Sequence, residues 1–496
     1  MSRIGLYAFL ALGLLSGLAL AAEQPNFVVI NIDDLGYGDI GPYGSETNHT
    51  PNLDRMAAEG RKLTCFYAAP VCSPSRASLM TGCYPKRALS IPHVLFPGND
   101  VGLHPDEVTL AEVLKAQGYA TGIVGKWHLG DQLDFLPTRQ GFDFYYGLPY
   151  SNDMGPAEDG IKSNLGKPLP KPKKQGQPPL PLLRNETVLR RVLPQDQQAL
   201  VANYTREAIS FIEGHTAEPF FLYLPHSAVH FPLYPSDRFV GTSKNGLHGD
   251  WVQEVDWSVG EILSALERLN LAQRTLVLFT SDNGGALNHG SSNKPLRNGK
   301  GSTYEGGMRV PTIAWWPGTI PAGTETDEVM AMFDLLPTFA ALAGAEAPQD
   351  RVLDGANVWP LLAGAPDAQS PHEDFFYFRG HDLQAVRHGD WKLRVKDGLE
   401  LFNLRDDVSE ANNLAEQQPE KVAELQAIFA TMDEDLGNKE IGPGCRPLGR
   451  VENARPILDQ DGQVRDDLTS AMPVQAPATA PSPPGNEGTQ KKSTPK

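Results

Sequence analysis

Five short apolar runs limit what this chain can become: Phe27 to Ile30, Ala120 to Val124, Phe220 to Leu224, Leu276 to Phe279 and Thr312 to Trp316. Each is too short for an ordinary helix and apolar at successive positions, as expected of a strand buried on both faces. Between them, Leu53 to Gly60, Thr109 to Gln117 and Trp251 to Leu269 carry apolar residues at helical spacing. The alternation predicts an α/β domain built on a large, mostly parallel sheet sandwiched by helices. Ligands of such sheets bind beyond the carboxyl ends of the strands, so the residues that follow each run are the candidates for chemistry.

After about Pro360 the pattern changes to closely spaced strand-like pieces: Phe375 to Phe378, Leu383 to Val386, Trp391 to Val395 and Leu399 to Leu401. A helical stretch from Pro419 to Leu436 follows them. This predicts a small C-terminal antiparallel sheet with one helix. The expected division is a signal peptide over 1–22, a catalytic domain over 23–360, a small α+β subdomain over 361–446 and an extension over 447–496 with a disordered Pro/Ala/Ser-rich tail. Arg3, the apolar run Ile4 to Leu20 and the small residues Ala19-Leu20-Ala21 mark the signal peptide. A retained anchor is the other reading of its length. Cleavage implies export, periplasmic or secreted in a bacterium and lysosomal or extracellular in a eukaryote, with no stable membrane insertion. The Pro/Lys/Gly-rich segment 155–181 is expected as a surface loop, either plainly solvated or a basic lip. A net charge of −17 argues against general nucleic-acid binding. Four cysteines, Cys65, Cys72, Cys83 and Cys445, are too few for a disulfide scaffold.

The first run leads into Asn31-Ile32-Asp33-Asp34 and the fourth into Ser281-Asp282-Asn283-Gly284. A lone Asp pair beside a glycine suits a turn as well as a metal. Two strand ends bearing matching oxygen donors favour one hard divalent ion, calcium or magnesium, held by Asp33, Asp34, Asp282 and Asn283. In Val71-Cys72-Ser73-Pro74-Ser75-Arg76, Pro74 can open a helix running to Thr81. That places Cys72 at a helix N-terminus, where amide donors favour an anion, with Arg76 one turn on. A lone cysteine is otherwise a small buried hydrophobe.

The segment C-x-P-S-R followed by Thr81-Gly82 resembles the type I sulfatase family, in its arylsulfatase A-like branch. Gly125-Lys126-Trp127-His128-Leu129-Gly130, Pro149-Tyr150-Ser151-Asn152-Asp153, His230-Phe231-Pro232 and Gly299-Lys300-Gly301-Ser302-Thr303-Tyr304-Glu305-Gly306-Gly307 resemble further motifs of that family. The resemblance implies an alkaline-phosphatase-like fold and a sulfuric ester hydrolase acting on aryl or carbohydrate sulfates. It implies that a formylglycine-generating enzyme converts Cys72 to 3-oxoalanine, whose hydrate supplies the nucleophile and one oxygen ligand of the metal. Arg76 would offset sulfate charge. Lys126 would hold residue 72 and a sulfate oxygen, and His128 would take a proton. Ser151, His230 and Lys300 would contact the sulfate, with His230 and Lys300 sharing protonation of the leaving oxygen. The superfold also hosts phosphodiester and phosphonate hydrolases, and an inactive binder of sulfated glycans is a third reading. Asn298 stands where animal relatives carry a cysteine, so their disulfide pattern is not expected.

Overall fold

The computed structural model describes residues 24–168 and 177–471. The expected signal peptide, residues 169–176 of the basic insertion and the tail from Val474 lie outside the described residues. The large sheet contains β1 (Asn26–Ile32), β2 (Arg61–Leu63), β3 (Ala120–Val124), β4 (Phe144–Gly147), β5 (Pro181–Arg184), β6 (Thr187–Arg191), β7 (Phe220–Pro225), β8 (Thr275–Ser281), β9 (Ile313–Trp315) and β10 (Thr324–Thr326). Their order is β10-β2-β9-β8-β1-β7-β3-β4-β5-β6, with Thr469–Ser470 closing the far edge. The strands β8, β1, β7, β3 and β4 are parallel neighbours. They hold four of the five apolar runs. The fifth forms β9, which is antiparallel to β8. Parallel neighbours require a crossover, usually a full helix. The chain between β8 and β9 offers only short turns, the four-residue helix Glu305–Met308 and the two-residue strand Arg309–Val310.

Helices cover both faces. Phe27 and Val29 point to the face packed by α2 (Cys72–Thr81), α3 (Leu110–Ala116) and α6 (Leu335–Leu342); Val28, Ile30 and Ile32 point to the face packed by α1 (Pro51–Glu59), α4 (Leu200–Gly214) and α5 (Gly246–Arg268). The period-2 split of β1 between two cores is the signature of a doubly covered strand. Thr109 caps α3 in a reciprocal box with Glu112.

The helix α5 carries one buried carboxylate with an incomplete set of partners. Glu254 Oε2 accepts from Ser236 N at 2.9 Å, while Oε1 has no partner among the described residues. Burial raises its pKa to about 7, the Ser236 hydrogen bonds only partly opposing it. A raised folded-state value means stability that is complete below pH 4.5 and lost as pH climbs through 7. Between those limits the wild type is expected to lose roughly 3 kcal/mol relative to Glu254→Gln. Urea titrations of both proteins from pH 4.5 to 8 measure this, and parallel stability curves would refute it.

The C-terminal sheet runs β11 (Asp374–Arg379), β12 (Asp382–His388), β13 (Trp391–Arg394) and β14 (Glu400–Asn403), all antiparallel. The helix α7 (Pro419–Leu436) packs on it through Val422, Leu425 and Leu436. The chain then returns to the large domain: Gly449–Arg450 pairs with Val101–Gly102, Thr469–Ser470 adds to β6, and Ile457, Leu458 and Leu468 enter the main core.

Candidate active site

The carboxyl ends of β1, β3, β7 and β8 and the start of α2 converge on one polar cluster. Asp33 and Asp34 follow β1, Asp34 in a left-handed conformation (φ 63°). Gly125 bends the chain after β3 at φ 137°, where a Cβ would lie 1.9 Å from the Pro225 carbonyl oxygen. Only glycine fits there, and the bend turns Lys126 inward. Cys72 is the first residue of α2, which ends at Gly82 in the left-handed cap conformation.

A chain of contacts links the expected residues. Cys72 Sγ lies 3.3 Å from Asp33 Oδ1 and 3.7 Å from Lys300 Nζ. Lys126 pairs with Asp33 and donates to Ser151 Oγ at 3.2 Å. Ser151 Oγ is 3.4 Å from His230 Nδ1, and His230 Nε2 is 3.8 Å from Asp34. Lys300 closes the ring on Asp34 at 2.7 Å. Arg76 is wholly buried: Nε and Nη2 hold Asp282 Oδ2 at 3.0 and 2.7 Å, and Nη1 donates to the Lys126 carbonyl. One turn on from Cys72, the Arg76 guanidinium is thus engaged by Asp282 and the Lys126 backbone. Asn283 Nδ2 donates to Asp34 Oδ1 at 2.8 Å.

The charges shape one another. Burial would raise the Asp33 carboxyl, but Lys126, His230, Arg76 and Lys300 hold it far below the ordinary range. Burial, then Asp33, raises Asp282 to about 6 despite Arg76 and Lys126. Burial, then Asp33, also raises the Cys72 thiol, against the pull of Lys126 and Lys300. Burial opposes the charge on Lys300, yet Asp34, Cys72 and Asp33 push its pKa well above the usual value. His128 follows the bend at φ 68°. Its Nε2 lies 3.0 Å from the Leu95 carbonyl and must carry the proton, which leaves Nδ1 a bare acceptor, buried and without a partner among the described residues. Burial, then Lys126 and Arg76, keep this ring well below its usual pKa and therefore neutral at pH 7.

The donor set fits a hard divalent cation. Ligand atoms of Asp33, Asp34, Cys72 and His230 lie within 4.8 Å of one another. Asn283 Oδ1 is buried and unpartnered among the described residues, an acceptor awaiting a positive partner. Three carboxylates and a carboxamide suit calcium or magnesium.

Comparison with known proteins decides the family. The "Sulfatase" family model matches residues 25–345, and that of "N-sulphoglucosamine sulphohydrolase, C-terminal" matches 299–439. The chain belongs to the sulfatase family. It is 41% identical to arylsulfatase A of Bos taurus over 84% of this chain and 89% of the relative. It is 42% identical to N-acetylgalactosamine-6-sulfatase of Canis lupus familiaris over 76% and 72% respectively. The crystal structure of Ps i-CgsB in complex with k-i-k-neocarrahexaose superposes with a TM-score of 0.72 at 33% identity, covering 83% of this chain and 93% of that one. The protein is thus a type I, arylsulfatase A-like sulfatase with the alkaline-phosphatase-like α/β fold, and a sulfuric ester hydrolase.

Around this sulfatase centre lies support that sequence reasoning missed. Ser291 Oγ joins the Asp34 carbonyl at 3.3 Å and His248 Nε2 at 2.9 Å. Asn152 and Gln197 exchange hydrogen bonds of 3.1 and 2.9 Å beside Ser151. His226 is buried behind the site against Ser258, its pKa lowered to about 3 by burial. Cys65, Cys72, Cys83 and Cys445 form no disulfide. No helix among the described residues is long and apolar enough to cross a membrane.

Proposed function

We propose that this sulfatase is exported, takes a carbohydrate sulfate and acts with Cys72 oxidised to formylglycine beside one calcium or magnesium ion. The observation that carries the reading is the position of Cys72: buried at the start of α2, between Asp33 and Lys300, in a cluster whose free acceptors suit a hard cation. The carbohydrate is supported by a relative named for N-acetylgalactosamine 6-sulfate and a neighbour solved with a neocarrahexaose. Asp33, Asp34, Asp282 and Asn283 would hold the ion, whose charge would draw electron density from the sulfate. With Cys72 converted to the aldehyde, residue 72 would offer one hydroxyl of the hydrate as the nucleophile and a second for the release of sulfate. A formylglycine-generating enzyme is the partner this maturation requires.

The remaining roles belong to side chains in place. Lys126 and Lys300 flank residue 72 and offset charge on the sulfate oxygens. Ser151, held between Lys126 and His230, orients one of those oxygens. His128, neutral with Nδ1 bare, takes the proton from residue 72. Lys300 and His230 share delivery of a proton to the departing alcohol oxygen. Arg76 fixes Asp282 and the Lys126 backbone.

The test combines mass spectrometry of the Cys72 peptide from the native host with kcat/KM on 4-nitrophenyl sulfate and 4-nitrophenyl phosphate. The expected result is an aldehyde at residue 72 and a higher kcat/KM on the sulfate ester than on the phosphate ester. A preference for phosphate would assign the centre to phosphoryl chemistry. An unmodified thiol with no sulfate release would leave a binding protein.

A further inference from the structure

A cleft of about 440 Å³ opens beside Asp34, His230 and Lys300. Its inner end belongs to the sulfate. The outer wall is formed by Asp153, Phe231, Leu287, Asn288 and His289 and, among the described residues, carries no lysine or arginine. The Phe231 and His289 rings stack with centroids 4.2 Å apart and planes 17° from parallel, and Leu287 is 52% exposed beside them. Asp153 faces this platform from a backbone that cannot drift: Asn152 Nδ2 donates to Gln197 Oε1 and, at 3.2 Å, to the Pro232 carbonyl, while Lys162 Nζ donates to the Asp153 carbonyl. Asp153 Oδ1 is nonetheless buried without a hydrogen-bond partner among the described residues. An unmet carboxylate oxygen at a rigid position is costly unless something outside the chain supplies the donor.

Resting on the sulfatase reading above, we infer that Asp153 and the Phe231–His289 ring pair form the subsite for the alcohol portion. They take a sugar ring that presents an O–H or N–H donor next to the sulfated position and reject an anionic group there. A pyranose has a flat C–H face for the ring pair and donors along its edge for the carboxylate. The cleft has the size of a small-ligand pocket. A second sulfate or a carboxylate at this place would meet the like charge of Asp153 in a partly dehydrated cleft.

The experiment measures kcat/KM of wild type, Asp153→Asn and Asp153→Ala on 4-nitrophenyl sulfate, which has no such donor, and on the monosulfates and adjacent disulfates of galactose and N-acetylgalactosamine. For the best monosulfated sugar, the ratio of its kcat/KM to that of the aryl ester should fall about tenfold in Asp153→Ala, mainly through KM, the value of one charge-assisted hydrogen bond. Asp153→Asn, nearly isosteric, should lose less and should raise the disulfate-to-monosulfate ratio several-fold. An unchanged ratio, an equal fall on both substrate classes, or a wild type that cleaves the aryl ester but no sugar sulfate overturns the subsite and leaves the sulfatase reading standing. A wild type inert on every sulfate ester overturns both.

Discussion

Cys72→Ala is expected to lose sulfate release by roughly 10⁴-fold or more, the scale of deleting a nucleophile, while the protein stays folded. The two effects separate because α2 does not depend on the thiol. Its first turn is fixed by Ser75 N on the Val71 carbonyl and by Ser73 Oγ, which accepts from Leu95 N. Arg76 anchors the second turn to Asp282. Alanine suits the first helical position, and the cavity left by one sulfur atom costs about 1 kcal/mol. Lys126→Met and Lys300→Met should be less severe, about 10²- to 10³-fold in kcat, since each removes one stabilising charge from a set. Inorganic sulfate release under saturating 4-nitrophenyl sulfate, beside thermal melts, measures both effects. Wild-type turnover in Cys72→Ala would remove this residue from the chemistry.

Cys72, Lys126 and Lys300 are legible in the sequence through motifs that resemble those of sulfatases, and the aspartates because buried parallel strands write themselves as unbroken apolar runs whose polar ends stand out. Asp33 and Asp282 each stand three residues beyond such a run. The flanks of the sheet leave no such mark. The strands β2 and β10 are three residues each, too short for any period to register. The hairpin β5–β6 is rich in arginine, which reads as solvent. In the fold, Arg184 lies over the Phe144 and Tyr146 rings at 5.5 and 5.1 Å, and Arg191 pairs with the buried Asp159. Arginine stems cover apolar surface there, so polarity misleads. Support for the centre was hidden for another reason. Asn152 with Gln197 and His248 with Ser291 meet across 45 and 43 residues, and a single sequence carries no signal for such pairs.

Another such connection yields the largest expected loss of stability. Lys392, on β13, is fully buried between Glu305 Oε1 and Glu410 Oε1, both at 2.8 Å. Glu305 also accepts from Tyr67 and Tyr377 hydroxyls at 2.6 and 3.0 Å, and Glu410 accepts from Glu305 N at 2.7 Å. Burial would raise Glu305, but Lys392, Arg309 and Arg387 lower it to about 2. Lys392→Met keeps the volume and strands two buried carboxylates, which should cost roughly 3–5 kcal/mol at pH 7. Here the sign with pH identifies the cause. A lowered folded-state value contributes stability above pH 4.5 that disappears as pH falls through 2, so the wild type gains from ionised Glu305 across the neutral range. In the variant Glu410 loses its cation and Glu305 keeps only Arg309 and Arg387, so both carboxyls take up protons more readily, at no cost only where the unfolded chain also binds them. The deficit should therefore narrow towards pH 4.5, whereas a pure packing defect would leave it constant. Function should follow, because Glu305 ends the turn that begins at Lys300, whose own amide is tied to the Gly285 carbonyl at 3.1 Å. Freed from the C-terminal sheet, this turn no longer holds Lys300 against Asp34 and residue 72. At a temperature where the variant is fully folded, kcat should fall about tenfold or more, as expected when a catalytic group loses its fixed geometry. A destabilised variant with unchanged kcat would show that the C-terminal subdomain supports the fold without setting the site.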